Sequence, residues 1–144
     1  MNHPQFKGTI RSFTPDGYER LLEIIHQDSK KAYWVSIFEP EHYIDPSITS
    51  DSSQIGQEII LRVALKLVIQ VQTLDSNSTL GIVQPISNSP HSVMVGEITQ
   101  ILDSDLLVCL AGEDFPSILV ELEHPKSLAI GQVIRAVGEL SNHA

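Results

Sequence analysis

The chain has 144 residues, 42% of them hydrophobic, which suits one ordinary domain or two very small ones and excludes disorder throughout. Its 18 acidic and 9 basic side chains give a formal net charge of −9, which disfavours phosphate backbones and anionic lipid and favours a basic partner. The single cysteine excludes an internal disulfide and a thiolate zinc site.

The ends of the sequence and its longest apolar runs bear on location. The first residues lack a basic-then-apolar signal, and no run reaches the roughly 18 apolar residues of a membrane span. We therefore expect a cytoplasmic protein without membrane association. Cys109 lies within an apolar run and is predicted to be a core residue.

The first half reads as strands separated by turns. Residues 7–13 alternate between apolar and polar side chains, and Thr14, Pro15, Asp16 and Gly17 form a strong turn signal. Residues 18–27 fit either a strand or a short helix. The preceding turn favours a strand, because a Pro-Asp-Gly turn between two apolar segments is typical of a hairpin. Residues 32–38 are aromatic and β-branched and predict a strand.

Residues 57–71 leave two structures open. Their Val, Ile and Leu content favours one long, bent strand. However, Arg62, Lys66 and Gln70 recur every four residues, which a helix would place on one face. The preceding residues, 39–56, are predicted to form a loop.

The second half contains four predicted strands, at residues 93–102, 105–111, 117–123 and 131–140. Serine-rich residues 76–92 resemble a linker. The predicted organisation is therefore a first β unit at 1–75, a linker-like segment at 76–92 and a second β unit at 93–144. The two units are expected to pack as one structural body.

Three ordered matches suggest that these units are diverged copies of one another. Gly8-Thr9-Ile10 corresponds to Gly96-Glu97-Ile98, and Ile55-Gly56-Gln57 corresponds to Ile130-Gly131-Gln132. Between them, a Glu-x-Glu-His motif follows an apolar strand in each half. The differences in spacing fall in predicted loops, where changes of length cost little.

The second unit, with its glycines and alternating apolar residues over 128–140, resembles an OB-fold barrel. The resemblance covers residues 93–140 and, more weakly, 6–71. It implies an all-β fold of two four-stranded meander units, forming OB-like barrels or interlocked sheets, with room for one short helix. The second unit lacks a fifth strand of its own. Either a strand of the first half closes it, or the sheets interlock.

No recognised catalytic motif is present, so we expect a protein that is not an enzyme and needs no cofactor or metal. The Glu-x-Glu-His motifs offer carboxylates and imidazoles. On a strand, however, the glutamates and the histidine point to opposite faces, so solvated strand ends are the favoured interpretation. The residues concerned are Glu39, Glu41 and His42 in the first half, and Glu121, Glu123 and His124 in the second.

One basic and aromatic cluster suits single-stranded nucleic acid, because bases stack on exposed rings while lysines neutralise phosphate. It comprises Lys30, Lys31, Tyr33 and Trp34, and Arg11 and Arg20 would extend it if the first strands are adjacent. Tyr33 and Trp34 alternate faces, so one of the two rings should lie in the core.

The leading hypothesis is a non-catalytic, acidic binding module that recognises another protein with a basic surface. One concrete form is an immunity-type neutraliser of a basic toxin. The alternative is an OB-like protein that binds single-stranded nucleic acid, a function that the net charge disfavours. The sequence leaves the oligomeric state open.

Overall fold

The computed structural model describes residues 5–16, 18–38 and 55–143, and these residues form strands, turns and loops without a helix. The strands in chain order are β1 (Phe6–Asp16), β2 (Glu19–His26), β3 (Ala32–Phe38), β4 (Glu58–Leu61), β5 (Val63–Val68), β6 (Val71–Leu74), β7 (Gly81–Val83), β8 (His91–Asp103), β9 (Leu106–Leu110), β10 (Ile118–Leu122) and β11 (Val133–Asn142). Accordingly, the described ranges include no helical stretch of the length and hydropathy needed to cross a membrane.

The second half forms a closed five-stranded barrel in the order β8, β9, β10, β5, β11 and back to β8. Four of these strands belong to the second unit, and the fifth, β5, comes from the first. β5 runs parallel to β10, with Leu119 opposite Ala64, and antiparallel to β11. The predicted all-β, OB-like fold class is confirmed, and the strand missing from the second unit is supplied by the first.

The first half has the corresponding arrangement. β1, β2 and β3 form an antiparallel meander, and β4 pairs with β1. The end of β11 lies parallel to β3 at Ser141 and Ser36, as β5 lies parallel to β10. Each half therefore contributes a strand to the other, and the exchanged strands pair where Leu140 faces Leu65.

The two Ile-Gly-Gln motifs adopt the same local geometry. Gly56 and Gly131 both have a left-handed backbone, with φ of 88° and 92°. The amide of Gly56 donates to the carbonyl of Ile10 at 2.7 Å, and the amide of Gly131 donates to that of Ile98 at 2.8 Å. A glycine is needed at both turns because an L side chain is disfavoured at such a φ. That the two halves arose by duplication of one unit stays a prediction.

The core is one continuous cluster that includes side chains from both halves. Alternate residues of β2, and of β8 as far as Ile98, are buried in this core. Met94, Ile98, Leu107 and Ile134 are among those that fill the closed barrel and are almost fully buried. Cys109 is buried there too, which confirms its predicted place in the core.

Two sequence-based assignments need correction. β1 continues through Thr14, Pro15 and Asp16, so the predicted turn starts too early. Residues 57–71 are neither a helix nor one strand, because the chain breaks at Arg62 between β4 and β5 and again after Val68. Residues 18–27 contain strand β2, as favoured. The linker-like segment contains β7, which pairs with β8.

Candidate functional site

The tip of the β8–β9 hairpin exposes a run of residues unlike the rest of its strand. Side chains of β8 alternate in burial up to Ile98 and are then exposed through Asp105. Ile101 is 37% exposed and Leu102 is 46% exposed. Both apolar side chains are therefore available to a partner while Asp103 and Asp105 stand beside them.

Irregular pairing produces this exposure. The register of β8 against β9 shifts between Ile98 and Gln100, and again between Ile101 and Asp103. Each bulge adds a residue to β8, which bends the strand and re-aims its side chains. Bulges of this kind are over-represented beside functional sites, since they direct side chains that a regular ladder would bury.

The tip is anchored to its surroundings. The carboxylate of Asp103 accepts from the amide of Ser104 at 2.7 Å, and the carbonyl of Asp105 accepts from the amide of Leu122 at 2.8 Å. The amide of Lys126 donates to the carbonyl of Ser104 at 3.2 Å. These bonds hold the exposed residues in one arrangement, so binding there would cost less conformational entropy.

An apolar groove of about 210 Å³ adjoins the tip on the outside of the barrel. Its sides are Leu102, Leu106 and Leu119, and Val63 and Val108 lie at its buried floor. We call the exposed tip and this groove the hairpin surface, defined by Ile101, Leu102, Asp103, Asp105, Leu106 and Leu119.

The charge around the groove is divided. Glu121 pairs with Leu106 across β9 and β10 and so lies on the same face of the sheet. Its carboxylate is 3.9 Å from the ammonium of Lys66. Arg62 and His143 line the other end of the groove. Lys66 therefore offsets the charge of Glu121, the carboxylates of the tip itself are those of Asp103 and Asp105, and Arg62 is a cationic residue of the groove lining.

A buried polar junction lies elsewhere and connects the two halves. The carboxylate of Asp114 accepts from the hydroxyls of Tyr33 and Ser29, both at 2.7 Å. Nδ1 of His26 lies 3.4 Å from the same carboxylate. Burial, followed by the hydrogen bond to Asp114, raises the pKa of Tyr33 above its ordinary range. The junction is a structural clamp, since it joins the β2–β3 turn to the loop after β9.

Tyr33 and Trp34, the predicted stacking residues, have different surroundings. Tyr33 is buried and packs edge-on against Phe115, with ring centroids 4.9 Å apart. Trp34 is half-buried, and its main chain exchanges two hydrogen bonds of 2.7 Å with the side chain of Gln84. Trp34 is therefore the ring of this pair that a base could reach.

The predicted basic residues are spread over different parts of the first half, and one of them, Arg11, lies on the same face as that ring. Lys30 and Lys31 are exposed at the β2–β3 turn, where the ammonium of Lys30 donates to the carbonyl of Gln27 at 2.7 Å. Arg11 is exposed, and its guanidinium lies 3.3 Å from the carboxylate of Glu23. Arg20 is buried. Glu23 is also the residue opposite Trp34, so a carboxylate accompanies the ring.

The Glu-x-Glu-His motifs are only partly described. Glu39, Glu41 and His42 lie outside the described residues. Glu121 has Lys66 beside it, and Glu123 and His124 are exposed after β10. Within the ranges that the structure describes, no three His, Cys, Asp or Glu side chains are grouped to hold a metal ion.

The hairpin surface was not among the sequence-based site residues, although the sequence contains a signal for it. Ile101 and Leu102 are adjacent, and a strand with alternating burial cannot place two neighbours inside. The aspartates on either side of Ser104 mark the turn that follows. The β-bulges that expose both residues could not be deduced from the amino-acid sequence.

The strands and their pairing define an all-β protein with an OB-like closed barrel. No protein-family model matches the chain, and no curated protein matches it significantly. Among solved structures it is similar to the cytoplasmic molybdate-binding protein ModG with molybdate bound, at 15% identity and a TM-score of 0.45, over 97% of this chain and 92% of that chain. At that level the similarity assigns no ligand and no role to the present chain.

Proposed function

We propose that this protein is a non-catalytic binding module whose hairpin surface receives a partner protein with basic and apolar side chains. The observation that supports this proposal is the pair of exposed apolar residues, Ile101 and Leu102, beside Asp103 and Asp105. Protein interfaces typically have an apolar centre with a polar rim. The groove would take an apolar anchor from the partner.

Charge favours a basic partner. The chain as a whole carries −9, so a basic protein is attracted at long range before any contact forms. Asp103 and Asp105 would then meet its cationic groups next to the apolar contact. A neutraliser of a basic toxin, of the immunity type, is one concrete form of this function.

Nucleic acid is less favoured as a partner. Of the predicted ring pair only Trp34 is accessible, and the carboxylate of Glu23 lies between it and Arg11 on the neighbouring strands. A polyanion would also meet the net negative charge. Labelled oligothymidylate at low salt should therefore show no change in fluorescence anisotropy. Binding that quenches Trp34 emission would favour nucleic acid instead.

The test compares affinity capture from an extract of the native host by three forms of the immobilised chain. A hairpin variant carries Leu102→Ser and Asp103→Asn. The control variant carries Ile86→Ser and Asp75→Asn, an exposed apolar and an exposed acidic residue away from the groove. Wild type and control should retain the same basic protein in equal amounts. The hairpin variant should retain at least about ten-fold less of it, a loss comparable to that caused by removing one hot-spot residue.

Two results would contradict the proposal. One is capture of the partner by the hairpin variant at the wild-type level. The other is the absence of any protein that wild type and control retain above an unrelated acidic chain used as a blank. Circular dichroism of each variant verifies that the fold is retained.

A further inference from the structure

A pocket of about 380 Å³ lies where the β5–β6 connection, the segment after β10 and strand β11 meet. The ionisable residues among its described lining residues are His124, Lys126 and Arg135, and none of those lining residues is acidic. In a chain of net charge −9 this is a local reversal of sign. Such a pocket attracts an anion, although the molecule as a whole repels one.

Lys126 is held at the pocket by its own hydrogen bonds. Its ammonium donates to the carbonyl of Val71 at 2.6 Å, and its amide donates to the carbonyl of Ser104 at 3.2 Å. An ammonium has three protons, so the bond to Val71 leaves two for a ligand. The cation is positioned before any ligand arrives, which lowers the entropy cost of binding.

Arg135 enters from the opposite side, on β11. It is exposed and stands opposite Gln72 of β6, so the guanidinium and this amide lie on the same face of the sheet. A guanidinium presents a planar fork of donors that fits the oxygens of phosphate or carboxylate in pairs. Together with Lys126 and the imidazole of His124, it provides donors from two elements.

The remaining lining is largely apolar. Leu122 and Val137 line the pocket, and Ile69, 70% exposed, lies at its edge. The end of β5, which leads into the pocket, has an irregular backbone. Leu67 has a left-handed φ of 58°, and the amide of Glu123 donates to the carbonyl of Val68 at 2.8 Å. A left-handed φ at a leucine is strained, and such strain concentrates at ligand-binding segments.

We propose that this pocket binds a small organic phosphate. The phosphate would be held by Arg135 and Lys126, with His124 adding a donor, and the organic part would contact Ile69 and Val137. The volume of about 380 Å³ exceeds the need of a bare phosphate and falls within the range of small-molecule pockets. A single phosphate group meets only this pocket, whereas a nucleic acid would also meet the acidic remainder of the surface.

The experiment is an NMR titration of the full chain at low salt with phenyl phosphate, inorganic phosphate and phenol. Phenyl phosphate should shift the amide signals of residues 68–72, of His124 and Lys126 and of residues 135–137, and it should bind more tightly than the other two probes. Arg135→Gln should weaken it about ten-fold, as expected for a lost charge-assisted hydrogen bond. Lys7→Gln, which removes an exposed basic residue of another pocket, should leave the affinity unchanged.

Several outcomes would overturn the proposal. They are the absence of shifts up to the solubility limit of phenyl phosphate, equal binding of phenol, or shifts of the same size in Arg135→Gln and wild type. Displacement of phenyl phosphate by a lower concentration of oligothymidylate would assign the pocket to nucleic acid instead. Lys126→Gln gives a second variant, and circular dichroism verifies folding. These titrations are independent of the capture test of the hairpin surface, so failure of that test would leave the phosphate-binding result unchanged.

Discussion

The carboxylate of Asp114 shows how one side chain can join distant parts of this chain. It accepts hydrogen bonds from Tyr33 and Ser29, which lie 81 and 85 residues away in sequence. Its side chain is only 9% exposed, so these bonds satisfy a group whose burial would otherwise be costly. The junction therefore fixes the first half against the loop that carries Asp114.

Cys109 gives the folded state a dependence on alkaline pH. Burial raises the pKa of its thiol from the ordinary 9.0 to about 12. Between these two values the unfolded chain has lost a proton that the folded chain retains. The contribution of the thiol to stability is therefore complete below pH 9.0 and falls by about 1.4 kcal/mol per pH unit from there to its folded-state pKa of about 12.

The prediction is tested by urea unfolding of wild type and Cys109→Ala at pH values on both sides of the ordinary thiol pKa. Alanine keeps the β-carbon and removes the titrating group. The free energy of unfolding of wild type should fall more steeply with rising pH than that of the variant, because other ionisable groups contribute equally to both. Parallel slopes would contradict the assigned cause.

The sequence predicted part of this residue-level description. Alternation along β3 required either Tyr33 or Trp34 to face the core, and the structure assigns Tyr33. The burial of Cys109 followed from its apolar neighbours. The partner of Tyr33 could not be predicted, because Asp114 comes from a loop of the other half and no local pattern joins the two.

At the scale of elements, Gly138 marks where β11 passes closest to β5. A β-carbon at this position would collide with the carbonyl oxygen of Lys66 and would lie 2.9 Å from a methyl group of Val68. The carbonyl belongs to the backbone of a barrel strand, so it cannot move aside without disturbing the strand exchange. The glycine is required by this close approach.

Gly138→Ala should therefore lower the free energy of unfolding by about 1–3 kcal/mol, as for other overpacked sites. Gly81→Ala is the matched control, since a β-carbon at Gly81 of β7 meets nothing within 4 Å. Denaturant midpoints of the two variants, measured together, give the comparison. Equal midpoints would show that β11 and β5 are not in close contact at Gly138.

Strands with regular alternation were predictable, and irregular ones were not. β3, and β8 as far as Ile98, follow the burial pattern that their sequences indicate. The four-residue spacing of Arg62, Lys66 and Gln70 imitates a helix, but the segment is divided between β4 and β5 by the exchange. β7 has only three residues, too few for an alternating pattern to be recognised, and it was therefore not predicted as a partner of β8.

At the scale of the whole molecule, the exchange of strands couples the stability of the two halves. The closed barrel uses β5 of the first half, and β3 pairs with the end of β11. A fragment of residues 76–144 should therefore be unfolded by itself, with little dispersion of its amide NMR signals. Mixing it with a fragment of residues 1–75 should restore a dispersed spectrum, because both missing strands are then supplied.

A well-dispersed spectrum from residues 76–144 alone would contradict this expectation and indicate two independent units. The sequence did indicate that the second unit lacked a strand, since only four strand signals follow residue 92. It left closure by exchange and a pair of interlocked sheets as alternatives. The structure combines the two alternatives. β5 closes the barrel of the second half by pairing with β10, and its pairing with β11 joins the exchanged strands of the two halves.

The same exchange determines the order in which the native contacts can form. The parallel pairing of β5 with β10 closes a long loop of the chain. The conformational entropy lost in closing this loop must be spent before burial of the barrel core stabilises the pairing. Among the described strands β11 is the last in chain order, yet it contacts β3, β5, β6 and β8. During synthesis β3, β5, β6 and β8 therefore lack this partner until β11 has emerged, and we expect the non-local pairing of the strands to limit the rate of folding.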